Sequence, residues 1–290
     1  MALTSIAPWF GGKRTMAPLV VKQLGEHRAY YEPFCGSCAV VFAKPHSSIE
    51  IVNDLHGDLT NLARVLASDD WRELYETADR FLLCQEWLSE ITPAFAEDFA
   101  GEGPDVQRAA QYLAISWMTR NGVAGLERGG FQMAVRWTQN GGSPGIRWRS
   151  AVDSIPAWHD RLKGVVITRR DGIDLVERSE DAERTAIYCD PPYLKDTRSG
   201  SRSSATYLYD FDDLGLFGDE HSRLAAALNL KTKSRVVVSY YDHPRLSELY
   251  PAPRWTKLDC KRQKNLHVQN RRGTGYAEAP EVLLVNGKVY

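Results

Sequence analysis

Four consecutive residues, Asp190-Pro191-Pro192-Tyr193, carry the most specific chemistry in this sequence. They follow Thr185–Cys189, an apolar run that reads as a buried strand. Two prolines in succession fix φ and supply no N–H donors, so the loop is rigid and its carbonyls are free to accept. The carbonyls of Asp190 and Pro191, with the Asp190 carboxylate, make a group of acceptors beside the aromatic face of Tyr193. That grouping suits an exocyclic amine on a flat heterocycle, and a nucleobase offers such an amine only once it has left the duplex stack. The competing reading is an ordinary turn that closes a strand.

A second constellation lies near the start, in Glu32-Pro33-Phe34-Cys35-Gly36-Ser37-Cys38. Ala29–Pro33 reads as a strand, Cys38–Ala43 as the start of a helix, and Ile49–Val52 as a second strand ending at Asn53 and Asp54. Strand, glycine turn, helix and strand with an acid at its tip form the first half of a doubly wound α/β fold. Asp54 stands eighteen residues after Gly36, near the ~20-residue spacing at which an acid reaches ribose hydroxyls. Alternatively, Asp54 caps the helix expected over Leu55–Leu66. Cys35 and Cys38 also form a Cys-x-x-Cys, a redox or zinc half-site. Zinc wants four ligands, and no second pair joins these two. The five cysteines are too scattered for a disulfide framework, so reduced thiols and no metal are expected.

The elements that must position these groups divide the 290 residues in an interrupted pattern. Strands at Val165–Thr168, Thr185–Cys189, Arg235–Tyr240 and Pro280–Val285 and a helix at Asp219–Leu230 resume the α/β alternation begun before residue 60. Between the two parts, Asp70–Leu88 and Asp105–Thr119 carry apolar residues at helical spacing, separated by the Gly/Pro/acidic linker Thr92–Pro104. Phe131, Met133, Val135 and Trp137 alternate, as do Ile146 and Trp148 across turn material at 140–145. This predicts a basic hairpin near 128–150, or else a solvated loop with scattered arginines. The expected organisation is a sheet domain of residues 1–60 and 165–290 with a mainly helical insert over 61–164.

Hydrophobic content of 43%, charge of 25% and a formal net charge of −1 are those of an ordinary soluble protein. No apolar run approaches membrane-spanning length and the first residues lack an apolar signal core, so no membrane partner and a cytoplasmic location are expected. The charge is unevenly placed. Acids concentrate in the insert's helices and around 210–220, whereas the expected hairpin, Lys195–Tyr207 and Lys261–Arg272 are basic. Arginine reads guanine bidentately and lysine holds phosphate, so Arg120, Arg128, Arg136, Arg147, Arg149, Lys195, Lys261, Arg262, Lys264, Arg271 and Arg272 are candidate double-stranded DNA contacts. Residues 195–207, rich in Ser and Gly, read as a lid over an extruded base or as a plain connection.

In their order these motifs resemble the Dam-like, D12-class DNA adenine-N6 methyltransferases. Trp9-Phe10-Gly11-Gly12-Lys13 is similar to the family's W-x-G-G-K, and Glu32 to Ser37 to its E-P-F-x-G-x-G turn. Asp54 to Leu59 is similar to D-I-N-x-D-L, Arg120 to Gly125 to the opening of the target-recognition region, and Glu281 to Asn286 to the closing strand. The resemblance implies a Rossmann-like S-adenosylmethionine-dependent fold with a mostly parallel seven-stranded sheet. It implies that Trp9, Lys13, Glu32, Phe34, Gly36, Asp54 and Asp171 line the cofactor pocket. Asp190, Pro191, Pro192 and Tyr193 would be catalytic, holding the flipped adenine for site-specific, adenine-specific DNA methylation. Two other readings stay open: cytosine-N4 methylation on the same fold, or a weak or inactive DNA-binding module. The sequence departs from the pattern at Cys38, where the family has its second turn glycine, at His56, where it has Asn, and at Val123-Ala124, where it has Phe-Asn. The first departure predicts a narrowed cofactor turn with weakened binding.

Overall fold

The computed structural model describes residues 4–8, 12–81, 84–95, 97–118, 144–194, 211, 219–263 and 278–290. The chain order is α1 (Ala17–Leu24), β1 (Ala29–Glu32), α2 (Ala39–Ala43), β2 (Ile49–Asn53), α3 (Gly57–Ala67), α4 (Trp71–Asp79) and α5 (Gln85–Ile91). A 3-10 turn (Thr92–Phe95), α6 (Val106–Met118), α7 (Pro144–Val152), α8 (Ile155–Leu162), β3 (Val166–Thr168), α9 (Gly172–Arg178) and β4 (Thr185–Cys189) follow. The chain closes with α10 (Glu220–Asn229), β5 (Arg235–Tyr241), α11 (Leu246–Leu249), β6 (Trp255–Gln263) and β7 (Glu278–Asn286).

The strands form one seven-stranded sheet in the order β3-β2-β1-β4-β5-β7-β6. The first five run parallel, and β7 is antiparallel to both β5 and β6. Parallel strands need cover on both faces and therefore read as continuous apolar runs, as β4 and the centre of β5 do. Their side chains alternate strictly between two cores. Tyr30, Ala186, Tyr188 and Val237 face one; Tyr31, Ile187, Cys189, Val236 and Val238 face the other. Helices α9, α10 and α11 contribute to the second core.

The first core explains the helical insert. Leu62, Leu66, Leu74, Ala109, Leu113, Trp158 and Leu162 belong to the same buried cluster as Tyr30, Tyr188 and Val237. Helix α6 packs against α3 and α4, and α8 against α3. Among the described residues, then, the stretch expected as a separate insert over 61–164 shares the sheet's core, and the boundary at 61 falls inside α3. Trp117 Nε1 also donates to the Ile6 carbonyl at 3.1 Å, tying α6 to the start of the chain.

Two expectations are corrected. The described end of the predicted hairpin is helical: Pro144–Val152 is α7, with Trp148, Ala151 and Val152 buried at helical spacing. The Ile146/Trp148 alternation was too short a window to separate period 2 from period 3.6, and Pro144 is a favoured first helical residue. Residues 131–137 lie outside the described residues. Asp70–Leu88 is not one helix, since α4 ends at Asp79 and α5 begins at Gln85. Lys261 and Arg262 belong to the edge strand β6, which the sequence reading did not pick out. Charged residues are common on edge strands, which blurs their periodicity.

Candidate active site

The carboxyl ends of β1 and β4 lie side by side where the strand order reverses, the crevice in which open α/β sheets bind ligands. Asp190 leaves β4 there. Its Oδ2 is 2.9 Å from Lys13 Nζ, and its Oδ1 accepts Ser239 Oγ at 2.7 Å and Tyr193 Oη at 3.1 Å. Tyr188 Oη and Ser239 Oγ lie 3.0 Å apart behind it. Burial pushes the Asp190 carboxyl above the usual aspartate range, and Lys13 and Ser239 oppose that rise.

A further carboxylate completes the cluster. Glu281 Oε1 is 3.1 Å from Lys13 Nζ and accepts Tyr193 Oη at 3.0 Å. The antiparallel register explains its presence. Because Tyr241 pairs with Glu281, the beginning of β7 meets the carboxyl end of β5. The Tyr193 ring is buried, with Lys13 Nζ 5.0 Å from its centroid and Tyr241 edge-on at 4.6 Å. The aromatic face expected from the sequence is thus partly covered by an ammonium.

The glycine turn is built next to this cluster. Gly36 has φ +47° and Cys38 has φ +62°, both in the left-handed region. For a side-chain-bearing residue that costs about 1–2 kcal/mol. Cys38 therefore holds the backbone shape that glycine would adopt freely, at the first turn of α2. The Cys35 and Cys38 sulfurs are 3.9 Å apart, both buried free thiols, with Cys38 donating to Cys35. The Cys38 contact and burial raise the Cys35 thiol. Asp54 takes the Gly36 N–H on Oδ2 at 2.8 Å and the His56 N–H on Oδ1 at 2.9 Å. Neither bond caps α3. His56 is the N-cap, and Asp98 from the linker accepts the Gly57 and Asp58 N–H groups at 2.8 and 3.1 Å. Burial raises the Asp54 carboxyl. Glu32, at the end of β1, is fully buried, accepts Tyr30 Oη at 2.7 Å and is pushed up to about 8, chiefly by desolvation.

Sequence reasoning passed over the residue that stitches these turns together. Asn53 Nδ2 donates to the carbonyls of Pro33 and Arg170, both at 2.9 Å, and its Oδ1 accepts Thr168 Oγ1 at 2.8 Å and Arg170 N at 3.0 Å. Gly172 lets the turn after β3 approach: a Cβ there would lie 2.5 Å from the Phe34 ring and 2.9 Å from the Pro33 carbonyl. Glu281 and Ser239 were missed as well. Their only sequence signal is a polar residue within or beside an apolar run, Ser239 inside Val236–Tyr240 and Glu281 just ahead of Val282–Val285.

Among the predicted site residues, Lys13, Asp190 and Tyr193 converge directly, and Glu32, Gly36 and Asp54 surround the neighbouring turn. Asp171 sits elsewhere in its bonding: it caps α9 through the Ile173 N–H at 2.6 Å and pairs with Arg223 at 3.2 Å. Arg149 bridges α7 to Asp79 of α4 and to Asp153, and Arg147 lies on α7. Lys261 and Arg262 continue β6 past the level of Glu281, since Cys260 is its partner in register. Trp9, Arg120, Arg128, Arg136, Lys195, Lys264, Arg271, Arg272 and the 195–207 segment, apart from their places in the sequence, lie outside the described residues. One metal-capable group occurs among the described residues, His56 with Asp58 and Asp98. Its carboxylates are engaged by Arg108 and Arg169 and by the N–H groups that open α3. No helix is long and apolar enough to cross a membrane, among the described residues.

The chain is 26% identical over 260 residues to the retron Ec67 DNA adenine methylase of Escherichia coli, covering 86% of this chain and 81% of that protein. It is 22% identical over 280 residues to a DNA adenine methylase of Vibrio cholerae, covering 95% and 93%. The solved structure of SMU.472 complexed with SAH is 12% identical at a TM-score of 0.35, matching 96% of this chain and 54% of its own length. At that score the likeness adds nothing to the strand order itself. Residues 9–264 match the family model for D12 class N6 adenine-specific DNA methyltransferases. The chain belongs to that family, and its seven-stranded sheet is the family's Rossmann-like methyltransferase fold.

Proposed function

We propose that the protein transfers a methyl group from S-adenosylmethionine to adenine N6 within a short duplex DNA site, with the target base flipped out of the helix. The observation that carries this reading is the placement of Asp190-Pro191-Pro192-Tyr193 at the end of β4, beside the glycine turn at the end of β1. The donor set around that turn fits the cofactor. Glu32 and Asp54 would supply carboxyl groups for a cationic methionine end and for ribose hydroxyls, the cation drawing Glu32, pushed up to about 8 by burial, into its charged form, and the close approach allowed by Gly172 shapes the turn between them. The bound cofactor supplies an already activated methyl group. The protein's part is therefore alignment more than acid–base chemistry.

Asp190 and the Pro191 carbonyl accept hydrogen bonds from the target amine and direct its lone pair. Tyr193 stacks against the base. Basic residues on β6 and in the recognition region hold the phosphates and read the bases. The test is incubation of unmethylated plasmid with labelled S-adenosylmethionine, digestion to nucleosides, and mapping of the modified sites. Label on N6-methyladenosine is expected. Label on N4-methylcytosine would move the activity to the other amine, and DNA binding without label would mark an inactive module. Asp190→Ala is expected to abolish transfer and leave cofactor binding nearly intact; equal loss of both would remove Asp190 from the role of base acceptor.

A further inference from the structure

Lys13 occupies two positions that an incoming adenine requires. Its ammonium is 2.9 Å from Asp190 Oδ2 and 5.0 Å from the centroid of the Tyr193 ring. The other Asp190 oxygen accepts from Ser239 and shares the single Tyr193 hydroxyl proton with Glu281. Each oxygen of the acceptor thus has an internal donor, and a target amine brings another. Something must draw Lys13 aside without stranding its charge, because an uncompensated buried charge is strongly unfavourable.

Glu281 is placed to do so. It is buried on β7, and its Oε1 holds the same two groups that hold Asp190, Lys13 Nζ at 3.1 Å and Tyr193 Oη at 3.0 Å. An ammonium shared between two carboxylates can shift toward either one while staying paired. We propose that Glu281 is a positioning residue: it retains Lys13 and the Tyr193 hydroxyl when the target amine takes their place at Asp190. The exchange moves ion pairs and hydrogen bonds only; no proton or covalent bond changes hands. With Glu281 neutralised, Asp190 holds Lys13 more firmly and competes poorly for the amine. This inference rests on the adenine-N6 reading of the same site.

The experiment uses duplexes carrying the mapped site with either adenine or purine, which lacks the 6-amino group, at the target position. Binding is measured in the presence of S-adenosylhomocysteine. Wild-type protein is expected to prefer adenine by roughly tenfold, the worth of one hydrogen bond to a charged group. Glu281→Gln is expected to lose that preference and to lower methyl transfer at saturating substrates roughly 10- to 100-fold, the scale of a misplaced reactant. Its cofactor affinity, which reports folding, should stay near the wild-type value. A merely structural role would weaken both duplexes alike and keep the preference, which would overturn the proposal. If Glu281→Gln does not fold, Glu281→Asp sets the carboxylate back by one methylene and is expected to show an intermediate preference; full wild-type preference and rate in that variant would overturn the proposal equally. Wild-type protein that neither methylates adenine nor prefers it would instead remove the adenine-N6 reading, and the proposal with it.

Discussion

In the proposed reaction Asp190 acts as an acceptor, in surroundings that favour its protonated form. Burial raises its pKa, and Lys13 and the Ser239 hydroxyl pull it back down. Only the carboxylate can accept from an amine on both oxygens. The rate should therefore fall with acid as Asp190 takes up a proton, at a pH above the usual aspartate value of about 3.9. Ser239→Ala removes a bond that favours the charged form, so the acid limb of kcat/KM is expected to move to higher pH. The alkaline plateau should change less than the limb does. An unmoved limb in a pH–rate profile would mean that Ser239 does not tune Asp190. The sequence displayed Asp190 and Tyr193 plainly because two prolines mark their loop. It did not display Ser239, which is one polar residue in the run Arg235–Tyr241.

At the scale of elements, the turn between β1 and α2 shows what Cys38 does. The family's glycine at this place is explained by the backbone: the residue has φ +62° and ψ +24°. The side chain is also fully buried, so removing it has a packing cost that partly offsets the relief of strain. Comparing two truncations separates the terms. Cys38→Gly is expected to be more stable than Cys38→Ala by about 1 kcal/mol, since both lose the sulfur and only glycine is at ease in the left-handed region. Thermal unfolding of the two variants checks the order; alanine equal to or above glycine would mean that the turn relaxes elsewhere. The turn, the strand after it and the acid at position 54 were all legible, because strand–turn–helix punctuation is local. The bonding of Asp54 was not. Its partners are the Gly36 and His56 N–H groups, and the helix-capping work that was its alternative role is shared by His56 and by Asp98, 41 residues beyond Gly57.

At the scale of the whole molecule, the described helices between Gly57 and Leu162 and one face of the sheet share a core. Trp158 on α8 is among its largest fully buried side chains. Trp158→Ala is expected to cost about 3–5 kcal/mol, the range for truncating a large aromatic core residue. Loss of helix followed by circular dichroism and loss of cofactor binding should share one denaturant midpoint, as they do in a cooperative unit. Two separated midpoints would show that the helical stretch is a domain with its own stability. The sequence suggested an insert because the periodicity changes there from 2 to 3.6. Periodicity reports which face of a helix is apolar and is silent on what that face packs against.

What the sequence determined by itself was local: buried strands, the glycine turn, the rigid acceptor loop and the order in which they occur. Each of these is written in neighbouring residues, through fixed φ angles, alternation and spacing. The tertiary structure decided which distant groups meet them. Glu281 reaches Tyr193 across 88 residues because β7 enters the sheet antiparallel beside β5, and Lys13 comes to the same place from ahead of α1. Asn53 links the ends of β1 and β3 because those strands flank β2. Burial then sets much of the electrostatics, since removing water from a carboxylate disfavours its charged form.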